Sequence, residues 1–497
     1  MKRLLLAALA LSPTAFASTQ YTEVPDNITT PDEVITSVGT FHFTDGNPDR
    51  ITVERAYELL GIQRASQVFL EHIPSASIYS MMEGFKNMGQ VEPNQVLLLE
   101  DLMDAKNIFL TGNADTVYFF AQYNVEQSPV ELTIPPNTLG MFNDARFQWM
   151  EDAGRSGPDR GKGGVYVVVP RNIDLAERTQ LANHYGESYV ITSPSNNFAF
   201  ISRGFKDPQS GEHQTAVENI KTHFKARYVN AEQKPMQFIN PNGVSVSTIH
   251  ANDEHFYVEL NEVIQREPKE LYSAHERGVM EHIGIVKGEP MDQEKVDLVQ
   301  AAAVANAQAR SLTLRPHSDF FQYEGNPQWH IPFNRNPSHD YMSKKGNKDF
   351  DAQVYFHYPA TAVTPAMALD LIGIGSKYAF ATYDHNGDNF DGGEHYAVTI
   401  PANVPAKDFW SFVIYDIQTR SMLQNPINKP GVDGFVAQPN DDGSYTVHFA
   451  PIQPEGVNEG NWIQTIPNKS WMILFRTYGP LEPWFDKTWR LGDIVKQ

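Results

Sequence analysis

The chain has 497 residues, 41% of them hydrophobic, with 60 acidic and 39 basic side chains and a formal net charge of -21. So acidic a protein argues against nucleic acid and anionic membrane surfaces as partners, because both attract basic patches. The sequence contains no cysteine, which excludes disulfides, cysteine nucleophiles and thiolate metal sites. The length suffices for one large or two ordinary globular domains.

The first residues have the pattern of a secretory signal peptide. Lys2-Arg3 is basic, residues 4–11 are apolar, and Ala15-Phe16-Ala17 is a small-x-small cleavage site. The apolar core is much shorter than the roughly 20 residues that cross a bilayer. We therefore expect cleavage of residues 1–17 after Ala17, a periplasmic or secreted protein, and no membrane span.

Hydrophobic patterning predicts an α+β protein of two domains. Residues 18–50 are polar and rich in proline, which predicts an extended leader, and a helical pattern begins at Ile51. Strands are expected at residues 107–110, 116–125, 130–134, 165–169, 189–192 and 198–202. Helices are expected at residues 215–228, 253–266, 271–283 and 293–309. Strands followed by helices, without a repeating βαβ order, favour α+β over a doubly wound sheet.

The predicted boundaries give an N-terminal domain with a mixed α/β sheet at 51–250 and a connection at 251–375. Within the connection, residues 315–351 look irregular and 359–375 look helical. The C-terminal domain is expected at 376–497, where 378–383 and 396–400 are predicted to pair as strands. Frequent turns there, rich in Pro, Gly and Asn, are typical of an antiparallel β-sandwich.

Two unbroken apolar runs predict strands that are buried on both faces. Residues 408–416 have no polar alternation, which fits a buried strand or a buried helix; their aromatic content and Pro405 favour a strand. Residues 470–478 form a similar run. Because strand side chains alternate, Arg476 is expected on the same face as Tyr478. On the earlier strand, Asp416 is expected to share a face with Trp410.

Several separated motifs resemble known families. The domain-of-unknown-function family 1214 is resembled by Trp410-Ser411, Tyr415-Asp416, Thr419-Arg420-Ser421, Asp442-Gly443-Ser444, Asn461-Trp462, Arg476-Thr477-Tyr478-Gly479-Pro480 and Thr488-Trp489. Its usual companion, family 1254, is resembled by Asn113-Ala114-Asp115-Thr116-Val117-Tyr118, Ser193-Pro194-Ser195-Asn196, Arg203 and Ile283-Gly284-Ile285-Val286. The resemblance spans roughly residues 51–493. It implies a jelly-roll-like sandwich for the C-terminal domain and implies no particular activity.

Two turn-rich segments could hold an ion. The glycine-rich residues 154–164 lack the spacing of a phosphate-binding Walker loop. They are expected to be a solvated loop, with closure over an anion as the alternative. Asp384, Asn386 and Asp388 match the start of an EF-hand loop, but the rest of that motif is missing. We therefore expect a hairpin turn with no metal or other cofactor, and calcium at these three residues is the weaker alternative.

A buried arginine or aspartate on an apolar strand face needs a partner. The favoured interpretation pairs Asp416 with Arg420 or Arg476. In the alternative, an arginine contacts an anionic group of a ligand while Trp410, Trp462 or Tyr478 stacks on a ring. Asp115 either caps a strand entrance or acts as a general base.

The favoured functional hypothesis is an enzyme, a hydrolase or lyase acting on a polar small molecule or saccharide in a cleft between the domains. Its predicted catalytic residues are Asp115, Tyr118 and Arg203. The predicted ligand-binding residues are Asn113, Trp410, Asp416, Arg420, Asn461, Trp462, Thr465, Arg476 and Tyr478. The alternatives are a non-catalytic carbohydrate- or small-molecule-binding protein and an oligomeric structural protein of the cell envelope, which would be a homo-oligomer.

Overall fold

A computed structural model describes residues 22–334 and 338–497. The predicted signal peptide at residues 1–17 lies outside this part of the chain. Within the described part, no helix combines the length and apolarity that crossing a membrane requires. The chain divides after Leu60 into two compact units.

The first unit contains a small antiparallel sheet where the sequence predicts an extended leader. Its strands are β1 (Glu33–Thr36), β2 (Gly39–Thr44) and β3 (Asn47–Pro48), in that order. The helix α1 (Arg50–Asn87) begins in this unit. Nη1 of Arg55 donates to the carbonyl oxygen of Thr40 at 2.6 Å, so the first turns of the helix are tied to the sheet.

The N-terminal half of the second unit is built from two large sheets and one pair of short strands. Its strands are β4 (Gln95–Leu98), β5 (Asn107–Ile108), β6 (Val117–Asn124), β7 (Val130–Ile134), β8 (Thr138–Asp144), β9 (Trp149–Gly154), β10 (Gly164–Pro170), β11 (Val190–Ser193), β12 (Asn197–Gly204), β13 (Lys225–Tyr228), β14 (Gln237–Ile239) and β15 (Val246–Ser247). The helices α2 (Leu175–Tyr185) and α3 (Gln214–His223) connect them. Sheet A has the order β14-β4-β6-β12-β8-β9, sheet B has the order β11-β10-β7-β13, and β5 pairs with β15.

Helices fill much of the middle of the chain. They are α4 (His255–Arg266), α5 (Ala274–His282), α6 (Leu298–Leu314), α7 (Phe350–His357) and α8 (Pro365–Ala368). The first three form a core with α1, in which Phe69 stacks on Phe256 with ring centroids 3.9 Å apart. Ser273 begins α5 with a capping box, because its hydroxyl accepts from the backbone of Glu276, whose side chain accepts in return from Ser273.

The C-terminal half contains two further sheets. Its elements are β16 (Phe321–Tyr323), β17 (Asn326–His330), β18 (Ser376–Ala381), β19 (Tyr396–Ile400), β20 (Ala406–Asp416), β21 (Gly431–Asp433), β22 (Tyr445–Ala450), β23 (Trp462–Gln464), β24 (Trp471–Pro480), α9 (Glu482–Phe485) and β25 (Val495–Lys496). Sheet C has the order β16-β17-β18-β24-β20-β21, and sheet D has the order β23-β22-β19-β25. The α+β class predicted from the sequence is confirmed.

Sheets A and C are each buried on both faces. One face of sheet A packs against sheet B, one face of sheet C packs against sheet D, and the remaining two faces pack against each other. In β6, Phe119 therefore lies in the core shared with sheet B, whereas Phe120 lies in the core shared with sheet C. This burial explains the unbroken apolar runs of β20 and β24 and confirms the strand prediction for both. The two halves of the second unit thus share a core.

Several further local predictions are wrong. Residues 359–375 contain only the single turn α8. Ala362 has a φ of +57°, and Thr364 and Leu369, on either side of α8, are extended, so the helix cannot continue in either direction. Residues 315–351, expected to be irregular, include β16, β17 and the start of α7. The strands β18 and β19 do not pair: β18 pairs with β24 and β17, and β19 pairs with β22 and β25.

The helix predicted at 215–228 ends at His223, because Phe224 turns extended and the next four residues pair with β7 as the strand β13.

Candidate functional site

Two arginine–tyrosine pairs line one cavity between sheets A and C. On sheet A, Arg203 of β12 is directly opposite Tyr118 of β6. On sheet C, Arg476 of β24 is directly opposite Tyr378 of β18. Directly opposite residues of an antiparallel pair point to the same face, and all four side chains line the cavity. Each sheet therefore supplies one guanidinium and one phenol to the same space.

The cavity has a volume of about 110 Å³ and mostly apolar walls. Its apolar lining includes Met103, Phe109, Phe120, Ile201, Phe380 and Leu474. Asn113, Ser376 and Thr364 add uncharged polar groups. Among the described residues that line it, the two arginines are the only charged ones, so no carboxylate faces this space.

Arg476 is 2% exposed and keeps donors without acceptors. Its Nη2 donates to the carbonyl oxygens of Thr111 and Gly112, each at 3.2 Å, and to the Tyr415 hydroxyl at 2.7 Å. Its Nη1 lies 3.6 Å from Oδ2 of Asp115, an ion pair without a hydrogen bond. Within the described chain, Nε and Nη1 have no hydrogen-bond acceptor. A buried donor without an acceptor is costly, so this side chain favours an added acceptor.

Asp115 is buried behind the cavity and already accepts two hydrogen bonds. Its Oδ2 accepts from the Ser411 hydroxyl at 2.6 Å and from the Tyr478 hydroxyl at 2.9 Å. Asn113 donates to the Tyr478 oxygen at 3.0 Å, and its Oδ1 accepts from the backbone of Asp115 at 2.7 Å. Burial raises the pKa of Tyr478 well above its usual range, and Asp115 adds to the shift. Tyr478 therefore stays protonated and remains a donor to Asp115.

Arg203 has no carboxylate partner within 4 Å in the described part of the chain. It is 6% exposed, its Nη2 donates to the Ser376 hydroxyl at 3.0 Å, and its Cζ lies 5.5 Å from the centre of the Tyr478 ring. Arginine stays charged in proteins. Because Asp115 accompanies Arg476 alone, the charge of the buried Arg203 side chain has no carboxylate to compensate it.

The predicted pairing of Asp416 with an arginine is wrong. Asp416 is opposite Trp471 in the register of β20 and β24, whereas Arg476 is opposite Ser411. The two side chains therefore lie on different faces of sheet C. Asp416 instead forms a short ion pair with Lys469.

Arg420 also lies apart from the cavity lining. Its guanidinium sits 4.1 Å from the centre of the Tyr358 ring and donates to the carbonyl oxygens of Tyr358 and Gln418, at 3.3 and 3.1 Å. Burial lowers its pKa to about 10. Its own carbonyl accepts from the backbone of Thr111 at 2.9 Å, so Arg420 supports the loop that Arg476 contacts.

The remaining predicted ligand-binding residues belong to the packing of sheet D. Trp410 lies in the core between sheets C and D, on the face opposite to Arg476. The Trp462 indole donates to the carbonyl oxygen of Ala450 at 2.9 Å. Asn461 and Thr465 likewise hydrogen-bond to backbone carbonyls. Residues 461–465, which contain the strand β23, therefore do not lie with Tyr118 and Arg203. The sequence had predicted one site that contains all of them.

The two turn-rich segments are organised by internal hydrogen bonds. In the glycine-rich segment, buried Asp159 accepts from the backbones of Gly154 and Gly163 and from the Tyr166 hydroxyl. The expected solvated loop is thus a turn folded around a carboxylate, and it places Ser156 at the cavity wall.

In the second segment, Oδ1 of Asp384 accepts from the backbones of Asn386 and Asp388. Arg315 donates to Gly387 and Asn389 of the same turn, at 3.0 and 2.6 Å. The guanidinium of Arg315 is therefore hydrogen-bonded to oxygens of the turn that resembles a calcium site.

Four residues that line the cavity or contact its charged groups are not among the site residues predicted from the sequence: Tyr378, Ser376, Tyr415 and Ser411. Tyr378 begins a predicted strand, and its alternation with Phe380 could have placed both on one face. No pattern in the sequence around Tyr378 indicates that β18 pairs with β24 in the register that places Tyr378 opposite Arg476.

The arginine–tyrosine pairs fall in two regions that family models match. Residues 93–228 match DUF1254 and residues 375–482 match DUF1214, each described as a protein of unknown function. The chain carries a DUF1254 region followed by a DUF1214 region. Arg203 and Tyr118 come from the DUF1254 region, and Arg476 and Tyr378 come from the DUF1214 region. The resemblance inferred from the motifs is confirmed.

Two solved structures resemble the chain. A protein from Vibrio parahaemolyticus has 14% sequence identity and a TM-score of 0.49, over 88% of this chain and 100% of its own. A protein from Burkholderia cenocepacia has 12% identity and a TM-score of 0.40, over 90% of this chain and 97% of its own. No curated relative matches the sequence.

Proposed function

We propose that this protein binds a small anionic molecule in the cavity between sheets A and C. The observation that carries the proposal is that Arg203 and Arg476 line one small cavity that no carboxylate faces. A buried charge is expensive unless it is paired. An anion in this space would pair with Arg203 and could accept from the free donors of Arg476.

A binding role accounts for the contacts better than catalysis by a carboxylate. Asp115, the predicted general base, already accepts from Ser411 and Tyr478 and does not line the cavity. A hydrolase or lyase is our second proposal, and it depends on Tyr118, which lines the cavity opposite Arg203. Binding without turnover of the same molecule would favour the first proposal.

Other features stay proposals on the strength of the sequence pattern. These are export after cleavage near Ala17, a jelly-roll-like arrangement of the C-terminal sheets C and D, and homo-oligomerisation. A saccharide ligand is less well supported, because an engineered cavity of about 150 Å³ is filled by benzene, and a sugar ring with its hydroxyls is larger. Nothing in the described contacts favours an envelope structural role.

Isothermal titration calorimetry with butyrate, benzoate, sulfate and inorganic phosphate tests anion binding directly. At least one of them should bind the wild-type protein, and Arg203→Gln should weaken that binding at least tenfold. Arg178→Gln is the matched control, because Arg178 pairs with Glu187 away from the cavity, at 2.7 Å. Anion binding that survives Arg203→Gln, or no binding by any of the four at millimolar concentration, would overturn the proposal.

A further inference from the structure

We propose that the ligand is a small monocarboxylate with an apolar body. This inference rests on the proposed function and narrows its ligand class. Three properties of the cavity support it: the balance of its charges, the chemistry of its walls and its volume.

The charged groups at the cavity have a net charge of one positive unit, which one negative charge would neutralise. Arg203 and Arg476 supply two positive charges, and Asp115, 3.6 Å from Nη1 of Arg476, supplies one negative charge. The described lining residues include no lysine, histidine, aspartate or glutamate. A monoanion would therefore bring the site to neutrality. A dianion would leave a second buried charge without a partner, which is strongly unfavourable.

The apolar walls favour an organic anion over an inorganic one. Phosphate and sulfate carry oxygens on all sides, and each oxygen that loses water needs a donor. Side chains such as Phe109, Met103 and Leu474 offer none. An alkyl or aryl group against them gains from burial, at about 25 cal/mol per Å². The walls therefore suit a molecule with one polar end.

The volume limits the size of that molecule. At about 110 Å³, the cavity is smaller than the roughly 150 Å³ cavity that holds benzene. A chain of about four carbons, as in butyrate, is the scale that fits. Long-chain fatty acids exceed it.

Isothermal titration calorimetry of the wild-type protein with four probes tests the charge and the apolar body of the ligand separately. Butyrate is the reference, butyramide removes the charge, succinate adds a second carboxylate, and inorganic phosphate removes the apolar body. Butyrate should bind at least tenfold more tightly than each of the other three. Succinate or phosphate binding as tightly as butyrate would overturn the inference while leaving the proposed anion site standing.

A change in the charge balance gives a second test. Asp115→Asn removes the one negative charge beside Arg476, so the ratio of succinate to butyrate affinity should rise at least tenfold. Asp441→Asn, at an exposed turn, is the control and should leave the ratio unchanged. An unchanged ratio in a folded Asp115→Asn protein would refute the charge argument. If that variant does not fold, the wild-type probe series decides. If no anion binds the wild-type protein, the proposed function itself fails.

Discussion

Nη1 of Arg476 lies 3.6 Å from Oδ2 of Asp115, and both side chains are buried. Arg476 belongs to the DUF1214 region and Asp115 to the DUF1254 region. The pair is therefore an electrostatic contact between the two halves of the second unit. Tyr478 strengthens it, because its hydroxyl hydrogen-bonds to the same oxygen of Asp115.

Replacing Arg476 by methionine should destabilise the protein strongly. The change leaves the Asp115 carboxylate buried without its cation, and breaking a buried pair in this way costs about 3–5 kcal/mol. Urea unfolding of Arg476→Met against wild type measures the loss. Adding Asp115→Asn should recover part of it, because the stranded charge is then gone. A single variant as stable as wild type would show that the pair contributes nothing to folding.

Breaking the ion pair of Asp416 should have little effect. The side chain of its partner Lys469 is 45% exposed and that of Asp416 is 13% exposed, and ion pairs that solvent reaches contribute about 0–1 kcal/mol. Lys469→Ala should therefore lower the free energy of unfolding by no more than about 1 kcal/mol in the same urea experiment. A loss comparable to that of Arg476→Met would contradict the contrast between buried and exposed pairs.

His357 should make the protein less stable in acid. Its side chain is buried, neither ring nitrogen has a partner in the described chain, and burial lowers its pKa from 6.5 to about 3. Below pH 6.5, His357 becomes protonated in the unfolded chain but stays neutral in the folded protein. This one group should therefore remove about 1.4 kcal/mol of stability per pH unit as the pH falls from 6.5 toward 3.

His357→Phe should reduce that loss, because phenylalanine cannot be protonated and the site already contains Phe147, whose ring stacks 5.8 Å away. Unfolding curves at pH 6.5 and 4.5 give the difference between variant and wild type. His282→Phe, at an exposed position, is the control. Since other titrating groups are common to both proteins, an unchanged pH slope in His357→Phe would count against the assignment.

Calcium should not stabilise the turn that contains Asp384. Oδ1 of the candidate ligand Asp384 already accepts from two backbone N–H groups. The guanidinium of Arg315, which donates to Gly387 and Asn389 of the same turn, would repel a divalent cation. We expect no change in melting temperature with added calcium or with chelator. Arg315→Ala, measured in the same way, shows whether the arginine is the reason. A rise of several degrees on adding calcium to the wild-type protein would disprove this prediction.

The type and facing of individual strands follow from local sequence. Alternation placed Arg476 and Tyr478 on one face of β24, and the apolar runs around Phe412 and Leu474 correctly predicted strands buried on both sides. These predictions succeed because side-chain direction along a strand has a period of two, which can be read locally. The motifs that identify the two family regions are local in the same sense.

Which charged groups come into contact depends on how the strands pair and how the sheets pack. Alternation placed Arg476 on one face of β24, but the register with β20 put Asp416 on the other face, and sheet stacking brought Asp115 to the arginine instead. Tyr378 reached the cavity through the register of β18 with β24. Partners of this kind lie far apart along the chain and are selected by long-range strand pairing and sheet packing, which leave no periodic trace in the sequence around either residue.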